Sequence, residues 1–152
     1  MGSGKSTISQ YLRQVLQDSE GLDLDLDANR EVNLDNALGR EYVVAEMYDG
    51  GSHTSDPEWV AEFKDRGYNI LSVILDATVE THIFRVLHRT MNQNTEHSVR
   101  HHYEIFHERL RTIFSNRAKV KEIALSTEDK KPEEVGQKIL DYIGSGLHGS
   151  SN

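Results

Sequence analysis

The run G-S-G-K-S-T at residues 2–7 puts two glycines, a lysine and three hydroxyls side by side. It matches the second half of the phosphate-binding pattern G-x-x-x-x-G-K-[ST]. Glycines let backbone N–H groups approach phosphate oxygens, and a helix that starts there points its positive end at the charge. On this reading Gly2, Ser3, Gly4, Lys5, Ser6 and Thr7 surround the phosphates of a nucleotide. Lys5 reaches the β- and γ-phosphates and Ser6 ligates Mg2+. The first glycine of the pattern, and the strand that precedes it, would lie ahead of Met1, so the expectation is a chain that begins late. The competing reading is a flexible Gly/Ser terminus. An amphipathic helix directly after Ser6, where the pattern demands one, argues against it.

Three further groups could act with such a loop. D-L-D-A-N-R carries Asp25, Asp27 and Arg30 at the end of an apolar/acidic alternation. A carboxylate at the C-terminal end of a strand lies where open α/β sheets bind ligands. Asp27 could accept the proton of an attacking hydroxyl, and Arg30 could hold an anionic acceptor. Glu46, late in Y-V-V-A-E-M, stands where a second metal-side carboxylate would be expected, with a solvated or capping glutamate as the alternative. Arg85 and Arg89, four apart in H-I-F-R-V-L-H-R, share one helical face and could clamp transferring phosphates, against the reading of an exposed helix face. His97 and His101 in H-S-V-R-H-H have metal-ligand spacing on a helix. With no cysteine and no H-E-x-x-H pattern in support, a polar helix face is the favoured reading there.

The elements that must position these residues alternate between helical and extended periodicity. Helices are expected over Thr7–Gln17, from Pro57 to about Arg66 with Gly67 as its stop, and over Val79–Arg89. One or two more are expected within Thr95–Asn116, and a last from Pro132 to about Ile143. Strands are expected over Leu22–Asp27, Tyr42–Met47, Asn69–Ala77 and Val120–Leu125. The Asn69–Ala77 run is nearly continuous in apolar residues, as buried parallel strands are. The class is therefore α/β with a mostly parallel sheet. One domain is read over residues 1–144, followed by a flexible tail at 145–152.

The 152 residues suffice for one domain with a real core. A net charge of −8 argues against bulk nucleic-acid binding. Acids dominate from Asp18 to Glu58, and the balance reverses from Arg85 to Lys121, the pattern either of a site for an anionic ligand on an acidic protein or of a solvated helix with mixed charges. No apolar run approaches a membrane span and no signal peptide is visible, so no membrane partner is expected and the cytoplasm is the default location. Without cysteine there is no thiolate chemistry.

Taken together, the chain resembles a small P-loop kinase over most of its length. G-S-G-K-S-T is similar to the loop of many such kinases. L-D-L-D-A-N-R resembles the L-D-G-D-x-x-R of adenylylsulfate kinases and the D-D-x-R of polynucleotide 5′-hydroxyl kinases. The stretch Ser72–Arg89 resembles the strand and lid-leading helix of the group, and Leu125–Leu140 its closing strand, turn and helix. The resemblance implies a P-loop NTPase-like three-layer sandwich with strand order 2-3-1-4-5, the first, central strand being absent from the chain. It implies ATP and Mg2+ as cofactors, Asp27 as catalytic base, Arg30 as acceptor-binding residue, and Arg85 or Arg89 on the donor phosphates. The expected activity is transfer of the γ-phosphoryl group to a hydroxyl of a small molecule or a nucleic-acid 5′ end. The gap from Arg30 to Tyr42 is shorter than in the group, which leaves the D-G-G-S-H-T loop as a candidate replacement for the acceptor pocket. That departure favours the alternative of a regulatory nucleotide-binding protein, or an ATPase lacking a full acceptor site. A metal-binding or interaction module built on the His-rich segment is the third reading. Sheet edges left open by an absent central strand would favour self-association.

Overall fold

The structure, a computed structural model, describes residues 4–23, 35–46, 58–88, 95–105 and 121–149. Gly2, Ser3, Asp25, Asp27, Arg30 and Arg89 lie outside the described residues, as does the D-G-G-S-H-T loop. The chain is mixed α/β. In order it forms α1 (Lys5–Val15), β1 (Ser19–Asp23), β2 (Tyr42–Glu46), α2 (Glu58–Asp65), β3 (Leu71–Asp76), α3 (Val79–Leu87), α4 (96–105), β4 (Lys121–Ser126) and α5 (Pro132–Gly149). It divides into two compact units. One holds residues 4–47 and 125–152, the other residues 1–3 and 48–124.

In the first unit, α1 packs its inner face through Ile8, Ser9 and Leu12, all buried, at the i, i+1, i+4 spacing of a helix stripe. Val15, the last residue of the helix, is exposed. α5 contributes Val135, Gly136 and Ile139 to the same core. Tyr11 of α1 lies so close over Gly136 that a Cβ there would run into the ring. Glycine in a helix interior costs about 0.5–1 kcal/mol relative to alanine, and here the close approach of α1 requires it. α5 continues through Gly149, past the end expected near Ile143.

β1 and β2 pair in parallel, from Ser19 opposite Tyr42 to Asp23 opposite Glu46. β1 begins three residues before the Leu22 start expected from the Leu/Asp alternation. The reason lies in the turn: α1 ends at Val15 and Asp18 takes a left-handed φ of 50°, which delivers the chain into extended structure at Ser19. Pairing with β2 then overrides the weak strand propensity of Ser19 and Gly21.

In the second unit, β3 pairs with β4, and Phe63, Ala77, Val86 and Val99 are buried. β3 was expected as a fully buried strand. Every residue of it is half-buried instead, in keeping with a ladder of two strands. Gly67 takes a φ of 87° just past α2, the left-handed stop expected there. His82 is buried on α3. Its Nε2 lies 3.9 Å from Asp76 and its ring meets Tyr103 of α4 edge-on at 5.1 Å.

Candidate functional site

The start of α1 departs from ordinary helix starts. Its N-cap, Gly4, is left-handed (φ 85°, ψ 14°), gives no side-chain cap, and precedes a first turn that contains no acid. The first helical bond runs from Ile8 N–H to the Gly4 carbonyl at 3.1 Å. The backbone N–H groups of a first turn have no partner within the helix and carry its positive partial charge. A left-handed glycine suits the close passage of backbone past a ligand.

Glu46, the last residue of β2, reaches this helix start. The Ser6 hydroxyl donates to Glu46 Oε2 at 2.8 Å, and Lys5 Nζ stands 3.8 Å from the same oxygen. Lys5 and Glu46 are each partly exposed. The structure thus gathers three residues singled out from sequence, forty positions apart, at the C-terminal end of a parallel strand and the N-terminal end of a helix. A serine hydroxyl and a carboxylate are hard oxygen donors of the kind Mg2+ accepts beside water and phosphate oxygens, so the residues present fit that ion. Thr7 follows on the exposed side of the same turn.

Two contributions were missed from sequence. The first is Asp23, which β-pairing places at the register position of Glu46, so that two acidic residues stand opposite each other in the ladder. Reading the strand onset from the end of α1 would have resolved the frame. The second is a clasp that sets this register. Asp18 accepts from Arg40 at 3.1 Å and from the Glu41 N–H at 3.0 Å, while its carbonyl accepts from the Tyr42 N–H at 3.2 Å. Arg40 also stands 3.9 Å from Glu20. The bonded Arg40 guanidinium, and after it the Glu41 amide, hold the exposed Asp18 carboxyl below its ordinary range.

Arg85 lies half-buried on α3, in the other unit from Lys5, Ser6 and Glu46. His97 and His101 are both exposed on α4. Among the described residues no group of three His, Asp or Glu is placed to hold one metal ion, and no helix is long and apolar enough to cross a membrane. Comparison with known proteins finds no matching family model and no similar curated sequence.

Proposed function

We propose that the chain binds a nucleoside triphosphate with Mg2+ and transfers its γ-phosphoryl group to a hydroxyl, on a small molecule or a nucleic-acid 5′ end. The observation that carries this reading is the meeting of Lys5, Ser6 and Glu46 at an uncapped helix start behind a left-handed glycine. The α1 amides and Lys5 hold the phosphates. Ser6 and Glu46 hold Mg2+, which when bound neutralises charge on the β- and γ-oxygens. ATP is the expected nucleotide.

The strand pairs support the fold that goes with this activity. An order of 2-3-1-4-5 has one adjacent pair on each side of its central strand, second with third and fourth with fifth. β1–β2 and β3–β4 are pairs of that kind. The three-layer P-loop sandwich is proposed on this basis.

In the transfer step the acceptor oxygen forms a bond to the γ-phosphorus and the bond to the β–γ bridging oxygen breaks. The acceptor proton passes to Asp27 and the nucleoside diphosphate leaves, with Arg30 holding the acceptor. The test is ADP release from Mg–ATP alongside calorimetric binding, in wild type and Asp27→Asn. Binding in both with turnover lost in Asp27→Asn supports the kinase. Binding without turnover in either replaces it with the regulatory nucleotide-binding reading. Absence of binding overturns both.

A further inference from the structure

Helix α4 offers a second kind of chemistry in the other unit. Its start is fixed by a reciprocal pair: Ser98 N–H donates to the Thr95 hydroxyl at 3.2 Å, and Thr95 N–H donates to the Ser98 hydroxyl at 3.1 Å. Its inner face is fixed by buried Val99 and by Tyr103 against His82. At 3.6 residues per turn, His97, His101 and Glu104 fall on the side opposite Val99, and all three are exposed. Arg100 is drawn to Glu96 at 3.2 Å, so its positive charge is engaged off this stripe.

Residues four apart on a helix have Cβ atoms about 5–6 Å apart. Two imidazoles so placed can each bring a nitrogen to about 2.0–2.1 Å from one cation. We propose that His97 and His101 form an open surface chelate for a divalent late first-row metal ion (zinc, nickel or copper), with water completing the coordination. Imidazole selects this class, whereas Mg2+ takes oxygen donors, so the site is chemically distinct from the one at Ser6 and Glu46. Two protein ligands make a capture site and not a closed structural zinc site. His102 is the internal control. Its ring lies 6.2 Å from that of His101, but its Nδ1 is 2.6 Å from the Ser98 carbonyl, and its position is a quarter-turn away from the stripe.

The test is calorimetric titration of Ni2+ into the full chain and into His97→Gln, His101→Gln and His102→Gln. Circular dichroism checks that helix content is retained, since glutamine is a good helix former. The expected result is saturable binding in wild type, weakened about tenfold or more by His97→Gln and by His101→Gln, and left nearly unchanged by His102→Gln. Absence of binding, affinity that survives both His97→Gln and His101→Gln, or an equal loss in His102→Gln overturns the assignment.

Discussion

Helices α1 and α3 begin in opposite ways. α3 starts on Thr78, whose hydroxyl accepts from Thr81 N–H at 3.3 Å, with Glu80 in its first turn. The α4 start is satisfied by the Thr95–Ser98 pair, and at the start of α5 Glu134 accepts from the Lys131 N–H at 2.7 Å. α1 has no side-chain cap from its N-cap residue and no acid in its first turn, where α3 carries Glu80 and α5 carries Glu133 and Glu134. A cap is worth about 1 kcal/mol, and a positive charge at a positive helix end adds a further penalty. The carboxylate at the α1 start comes instead from another element, Glu46 of β2, which accepts from Ser6 and stands beside Lys5. The contrast singles out the same helix start as the motif does.

The contrast can be broken most directly at Lys5. Lys5→Ala should weaken Mg–ATP binding about ten- to a hundredfold, the range of a charge-assisted hydrogen bond, while thermal stability stays close to wild type. Arg85→Ala, in the other unit, should leave nucleotide affinity nearly unchanged. Equal effects of the two on binding would erase the distinction. Gly136→Ala should destabilise the chain by about 1–3 kcal/mol through overpacking against Tyr11, and Tyr11→Ala should relieve it in the double variant. Chemical denaturation of the four species checks this, and a stabilising Gly136→Ala would mean that α1 does not seat on α5 as described. Thr78→Ala should cost about 1 kcal/mol with no loss of nucleotide affinity. Gly4→Ala should cost about 1–2 kcal/mol, because a left-handed backbone penalises a Cβ, and should weaken nucleotide binding as well. The smallest effect belongs to Asp18. Its folded carboxyl titrates below its unfolded one, so its contribution is present above the ordinary aspartate range and is lost as pH falls through the lowered folded value. Asp18→Asn should remove that acid-side dependence from the unfolding midpoint, leaving a flatter profile there than in wild type.

Much of this was legible in the sequence because it rests on local rules. The helix after Ser6 follows from the spacing of Ile8 and Leu12, and the end of α2 from Gly67. The place of Glu46 beside Ser6 was legible because strand ends and helix starts meet at one edge of an α/β sheet. The frame of β1 was not, since it depends on a left-handed Asp18 and on pairing with a strand nineteen or more residues later. Nor was the burial of His82, because histidine inside and histidine outside look alike on a helical wheel until the neighbouring helix is placed. The Asp18–Arg40 clasp joins residues twenty-two apart across the turns before two strands, and no periodicity records such a contact.

The account stands most directly on one titration: ATP into the chain, with and without Mg2+, in wild type and in Ser6→Ala. It predicts saturable binding in wild type that strengthens with Mg2+, and loss of that Mg2+ dependence when the Ser6 hydroxyl is removed. No ATP binding, or a Ser6→Ala variant that binds with the same Mg2+ dependence as wild type, would contradict it.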